Sequence, residues 1–241
     1  MTIYNTTLEA REQIAEGTMS FQFRKPEGFD FIAGQALDLI LSEASQATDD
    51  QNARHAFSIV SAPSESHLTI ATRMRESVFK SELKSLPLRS QVKIDGPFGS
   101  LALHKDRARA AIFIAGGIGI TPFVSILRQA TIEQLPQRLI LLYSNRRPED
   151  AAFLVDLQQL EEQNANFRLV ATMTAMHLST RNWPNQTGMI TANLVAEVVG
   201  DLPNPIFYVV GPPAMVESMH QILHQFGADG DDIHSESFYG Y

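Results

Sequence analysis

The sequence predicts a β + α/β fold: an N-terminal antiparallel β-barrel over residues 1–105, then a doubly wound parallel sheet over residues 106–241. Three observations predict it. Alternate positions are apolar through much of the first hundred residues. Glycine, proline and Ser/Asn clusters break those runs at short intervals. Beyond residue 106, short runs apolar at every position alternate with stretches of helical period, the pattern of a parallel sheet covered on both faces.

In the first half, Phe21 and Phe23 alternate with polar neighbours, as do Leu37, Leu39 and Leu41, then Phe57 and Ile59, then Val92 and Ile94. Turn clusters stand between them at 26–28, 33–35, 49–52, 62–64 and 96–97. Short strands at this spacing suit a small barrel or sandwich. One helix is expected at 77–86, where Val78, Phe79, Leu83 and Leu86 fall near one face. In the second half, strands are expected at 111–115, 139–143, 169–172 and 206–210, with helices at 122–130, 148–163, 191–199 and 213–226. The last helix carries an apolar stripe of Met215, Val216, Met219, Ile222, Leu223 and Phe226, with Pro213 suited to its first turn.

Nineteen Lys+Arg against 27 Asp+Glu give a formal charge of −8, a poor balance for binding nucleic acid or an anionic membrane through a broad basic surface. There is no cysteine, which excludes disulfides, thiolate-held zinc, a thiol nucleophile and a thiolate-held iron–sulfur cluster within this chain. The longest apolar stretch, 110–124, is broken by three glycines and a proline, so no membrane insertion is expected. The N-terminus lacks a basic flank followed by an apolar core, and the expected location is the cytoplasm.

The first parallel strand runs into Gly116-Gly117-Ile118-Gly119-Ile120-Thr121-Pro122. Glycines permit a sharp turn and close approach to a ligand. With Thr121 as N-cap and Pro122 in the first turn, free N–H groups would face a phosphate or pyrophosphate. The segment is neither the dinucleotide fingerprint, since Pro122 stands where a third glycine would be, nor a P-loop, since no Lys-Ser/Thr follows; a ligand-free structural turn is the alternative. The next strand ends in Tyr143-Ser144-Asn145-Arg146-Arg147, where arginines could reach a ribose phosphate. The last ends in Gly211-Pro212-Pro213-Ala214-Met215. Three such junctions on one sheet edge outline a dinucleotide cleft.

These segments together resemble the ferredoxin–NADP reductase-like superfamily, in which a FAD-binding barrel precedes an NAD(P)-binding α/β domain. Phe57-Ser58-Ile59 is similar to the flavin motif Arg-x-Tyr/Phe-Ser, and Gly96-Pro97-Phe98-Gly99 to the motif that closes the barrel. The 116–122 segment is similar to the pyridine-nucleotide loop, Gly211-Pro212-Pro213-Ala214-Met215 to Cys-Gly-Pro-Pro-x-Met, and Glu236-Ser237-Phe238 to a terminal Glu-x-Phe. Each motif is weak alone; five in order across the chain are strong.

The resemblance implies FAD between the halves, with NAD(P)H as co-substrate. Phe57 would flank the flavin ring, Ser58 would hydrogen-bond its N5, and Thr72, Arg73 and Met74 would run beside the ribityl chain. Ser77, Val78 and Phe79 would meet the diphosphate. Gly116, Gly117, Gly119, Thr121, Pro122, Ser144, Asn145, Arg146, Gly211, Pro212 and Met215 would hold the nicotinamide nucleotide. Glu236 and Phe238 would lie on that face with Ser58 at the catalytic centre, Phe238 shielding the ring. Two departures stand out. The flavin-motif arginine position holds His55, with Arg54 one residue earlier. Both are expected as cofactor contacts, but strand neighbours face opposite sides, so Arg54 needs a bulge to reach the flavin, and Arg73 or Arg75 are alternative candidates for the charge. Val210 replaces the motif cysteine expected beside the nicotinamide. Arg146 and Arg147 tilt the reading toward NADPH.

Three functions follow as expectations: a reductase passing electrons from NAD(P)H through FAD to a separate acceptor such as a ferredoxin, haem protein or oxygenase component; a reductase using diffusible flavin; and a non-catalytic flavin- or nucleotide-sensing module. The oligomeric state stays open. His220 and His224 stand at metal-ligand spacing without a third ligand and read as a solvated helix face; Asp229-Gly230-Asp231-Asp232 lacks a calcium loop's pattern and reads as a turn.

Overall fold

The structure, a computed structural model, describes residues 2–41 and 53–239; the turn expected at 49–52 lies outside them. The first half contains β1 (Thr2–Ala15), β2 (Thr18–Arg24), β3 (Ala36–Ile40), β4 (Arg54–Ser58), β5 (His67–Arg73), helix α1 (Val78–Ser85) and β6 (Gln91–Phe98). The sheet order is β4-β3-β6-β1-β2-β5, every pairing antiparallel. An Ile59–Ile70 bridge and a 2.8 Å hydrogen bond from the Val60 N–H to the Thr69 carbonyl join the two ends, so the sheet closes into a barrel. The 14-residue β1 serves two partners, β6 along Thr2–Thr7 and β2 from Leu8 onward, and so turns a barrel corner. The expected alternation is real: Phe21, Phe23, Leu37, Leu39, Ile59, Val92 and Ile94 all point into the barrel core.

The second half contains β7 (Ala111–Gly116), α2 (Thr121–Ile132), β8 (Leu139–Asn145), α3 (Leu154–Gln163), β9 (Phe167–Met173), β10 (Gln186–Thr187), α4 (Ala192–Val199), β11 (Ile206–Gly211), α5 (Pro213–Gln225) and β12 (Ile233–Ser237). The sheet is parallel throughout, in the order β10-β9-β8-β7-β11-β12. Strand order reverses at β7, so the crevice where such sheets take ligands opens at Gly116 and Gly211, the ends of β7 and β11.

Four expectations change. Val78 is 59% exposed and only Phe79 and Leu83 anchor α1, because the helix has just two turns to lay on the barrel. The 148–163 helix begins at Leu154; Pro148–Asp150 forms a separate 3₁₀ turn and Phe153 takes a left-handed backbone between them. In α5 the buried stripe narrows to Val216, Met219 and Leu223, leaving Phe226 41% exposed. Residues Ile233–Ser237, where no strand was expected, form the sixth strand β12, paired to β11 from Phe207 to Gly211.

The halves are not merely tethered. Ala33, Val60, Ala71 and Leu101 from the barrel side belong to one apolar cluster with Phe113, Phe123, Ile126 and Tyr143. A buried 2.7 Å hydrogen bond from Ser125 Oγ to the Ser61 carbonyl crosses the same seam. At its rim, Arg147 bridges Asp150 and Glu16, and Arg73 lies 3.4 Å from Asp150.

Candidate functional site

A cavity of about 360 Å³ lies where the barrel meets the carboxyl edge of the parallel sheet. Grooves of about 530 and 590 Å³ elsewhere are larger, but neither touches the ends of β7 or β11. The volume is within the range of small-molecule sites.

The barrel contributes His55, Phe57 and Ser58 from β4, Ala71 and Thr72 from β5, Lys80 from α1, and Phe98 with Gly99 beyond β6. Alternation along β4 puts His55 and Phe57 on one side, both against Phe79, with ring centroids 4.3 and 6.0 Å away. The same alternation sends Arg54 the other way. Its guanidinium binds Asp38 at 2.6 Å and Asp95 at 2.7 Å, and it does not line the cavity. The expectation of Arg54 as a cofactor contact is corrected on this point: two carboxylates on β3 and β6 hold its charge elsewhere.

The other wall consists of Ile118, Thr121 and the segment Glu236 to Tyr239. Glu236 is paired with Val210 in the β11–β12 ladder, and burial pushes its carboxyl above the usual carboxylate range. The Phe238 N–H donates to the Gly211 carbonyl at 3.0 Å, which holds the aromatic ring's backbone against the neighbouring strand.

The glycine-rich junction differs from its sequence reading. A Cβ on Gly116 would lie 2.3 Å from Met215 Sδ, one on Gly119 would lie 2.5 Å from the Val210 carbonyl oxygen, and one on Gly211 would crowd Met215 and Gly116. These three glycines make room for protein. Gly117 alone of the four has a left-handed backbone, φ 55°, and open space where a Cβ would stand. Thr121 does not cap α2: residues Gly117–Ile120 form a 3₁₀ turn that feeds the helix directly, and the Thr121 hydroxyl donates back to the Ile118 carbonyl at 3.0 Å. Pro122 is buried in the first turn. Val210, expected beside the nicotinamide, is fully buried in the core beneath the cavity.

The remaining expected residues are dispersed. Met74 packs on the barrel core. Ser77 caps α1 by accepting from the Lys80 N–H, and Phe79 is buried beneath His55 and Phe57. Ser144 pairs with Gly116 at the sheet's edge, while the carbonyls of Asn145 and Arg146 accept from Thr174 and Ala175. Arg146 is exposed; Arg147 is committed to Asp150 and Glu16 and so is not the free arginine expected there. Sequence reasoning missed Lys80, Ile118 and Tyr239. Lys80 left a signal: a cation in a helix's first turn opposes the helix dipole. His220 bonds Ser235, and no cluster of three or more potential metal ligands occurs among the described residues. No described helix is long and apolar enough to cross a membrane.

Residues 113–221 match the family described as the oxidoreductase NAD-binding domain. The chain is 31% identical over 160 residues to a component of the Na(+)-translocating NADH-quinone reductase of Psychrobacter cryohalolentis, covering 65% of this chain and 38% of that protein. It is 26% identical over 220 residues to the propane 2-monooxygenase reductase component of a Gordonia species, covering 89% of this chain and 61% of that one. The chain thus spans less than two thirds of these relatives' length. Among solved structures, a ferredoxin NADP+ reductase from Neisseria gonorrhoeae with bound FAD and NADP superposes with a TM-score of 0.80 at 22% identity, over 98% of both chains. An Amycolatopsis cytochrome P450 reductase gives 0.80 at 22% identity, over 98% of this chain and 70% of that one.

Proposed function

We propose that this chain, which has the two-domain fold of the ferredoxin–NADP reductase-like superfamily, is an NAD(P)H-dependent flavoprotein reductase that serves a separate electron acceptor. The observation that carries the proposal is the cavity built jointly by the barrel and the carboxyl edge of the parallel sheet. Its residues fit FAD: aromatic and apolar walls from Phe57, Phe98 and Ile118, hydroxyls from Ser58 and Thr72, and a cation at Lys80. FAD bound there would take two electrons as hydride from a nicotinamide and release them singly.

The chain's own residues supply position and electrostatics. Phe57, backed by Phe79, gives a rigid aromatic wall. Ser58, almost fully buried, offers a hydroxyl whose direction the β4 strand fixes. Glu236, held toward its protonated form by burial, can keep a proton at the opposite wall. Phe238 closes that wall. Gly117 leaves its backbone open to the nicotinamide nucleotide beside the ends of β7 and β11. Names of relatives such as the propane 2-monooxygenase reductase component support an oxygenase or other redox protein as the acceptor. The test is a visible spectrum of the purified protein before and after FAD addition, then anaerobic titration with NADH and NADPH. Flavin bands that bleach with either nucleotide are expected; a protein that takes up no FAD overturns the reading.

One observation favours a second reading, a reductase of diffusible flavin. With His55 at the motif position and Arg54 bound to Asp38 and Asp95, no arginine clamps the cofactor from β4. Flavin lost on dialysis, with turnover restored by added flavin, selects this second reading; retained flavin selects the first.

A further inference from the structure

We propose that Lys80, and no arginine, supplies the positive charge that holds the flavin's phosphates in this chain. The inference rests on the flavin reading above and deepens it by assigning the anion end of the cavity.

Two of the three arginines near the barrel wall are committed to carboxylates, and none of the three lines the cavity. Arg54 is neutralised by Asp38 and Asp95 on the far side of β4. Arg73 turns its side chain to Asp150 and offers the cavity's neighbour only a carbonyl. Arg75 is exposed and does not line the cavity. Lys80 does line it, the one lysine or arginine among the described residues that do. Its Nζ donates to the Arg73 carbonyl at 2.9 Å, which leaves two of its three donors for a ligand. No carboxylate forms an ion pair with it among the described residues, and burial, then Arg75, press its pKa below the ordinary lysine value. A half-buried ammonium without an anion is a costly arrangement that an anionic ligand relieves.

The surroundings agree. The Ser77 hydroxyl accepts from the Lys80 N–H and fixes the first turn of α1, where the N–H groups of Val78 and Phe79 have no intrahelical acceptor. Lysine here works against the helix dipole, and an anion at the same place satisfies both. His55 lines the same region, and its burial, then Lys80, lower the imidazole pKa, so the ring is uncharged at neutral pH. An arginine at position 55 would set a second fixed charge against Lys80. The cavity's cation therefore stands on α1, while β4 offers it a neutral imidazole. The far wall carries Glu236 and no lysine or arginine.

The experiment compares dissociation constants of FAD and of riboflavin, which shares the ring and lacks phosphate, for the apoprotein and for Lys80→Met and Lys80→Arg. Lys80→Met is expected to weaken FAD by about 10- to 100-fold, the worth of one charge-assisted hydrogen bond, with riboflavin unchanged and Lys80→Arg close to the parent. Without any variant, added salt is expected to weaken FAD binding and leave riboflavin binding alone. Full FAD affinity in Lys80→Met overturns the assignment while the flavin reading stands. Equal loss of FAD and riboflavin also overturns it, placing Lys80 against the ring. Failure of the parent protein to bind either flavin brings down the flavin reading itself and the assignment with it.

Discussion

The two walls of the cleft are made by different means. The sheet wall stands on backbone: β7 and β11 end at glycines whose missing Cβ atoms let β7, β11 and α5 pack against one another, and Ile118, Thr121 and the 236–239 segment line the cavity over that junction. The barrel wall is made of side chains on a closed sheet: His55, Phe57, Ser58, Thr72 and Lys80 project from β4, β5 and α1. A backbone wall tolerates no added atoms where it is packed. A side-chain wall can shift a charge from one element to its neighbour without disturbing a single strand pairing.

The largest effect that would break this comparison is at Gly119. A methyl there meets the backbone of Val210, which cannot swing aside, so Gly119→Ala should cost about 3 kcal/mol of stability by denaturant unfolding; a cost under about 1 kcal/mol would mean the junction is loosely packed. Next is Arg54→Met, which leaves the buried Asp95 without its partner. With the guanidinium itself 39% exposed, about 2 kcal/mol is expected after allowance for solvent screening, with FAD affinity unchanged. A large loss of FAD affinity would return Arg54 to the site. Gly117→Ala adds a methyl in open space and strains a left-handed backbone, so about 1 kcal/mol is expected; a cost exceeding that of Gly119→Ala would reverse the two glycine roles. The smallest effect is a pH dependence at Glu236. Burial raises its folded pKa, so the native state keeps a proton that the unfolded chain has lost. That stability is complete below the usual carboxylate pKa and declines as pH rises through the raised value. Melting temperatures of the parent should fall relative to Glu236→Gln as pH rises above the usual carboxylate pKa; parallel profiles would place the carboxyl in water.

The sheet half was legible in the sequence because each strand is apolar on both faces and each helix carries its own period, so Ile112, Leu141 and Val209 announce themselves locally. The strand β12 was not, since His234, Ser235 and Glu236 carry no apolar run and pair only because β11 offers a free edge. The alternation that marks the barrel strands already argued against Arg54 reaching the flavin without a bulge, but what holds it elsewhere was not legible: its acceptors Asp38 and Asp95 lie 16 and 41 residues distant in sequence. Likewise no local pattern says that Gly116 is filled by Met215 while Gly117 is open. Partner choice among polar side chains and the occupancy of a glycine's empty side are settled by tertiary packing, and the site's roles hang on both. Lys80 sits between these cases: its helix was expected, and its opposition to the dipole was visible, but only the cavity gives that opposition a purpose.

Ala33, Val60, Ala71 and Leu101 share their burial with the interior of the parallel sheet, and this predicts that the molecule melts as one unit. Either part produced alone would present a bare hydrophobic seam to water and would favour aggregation over independent folding. Calorimetry of the intact chain should then record a single endotherm, with no intermediate in which one half survives the other.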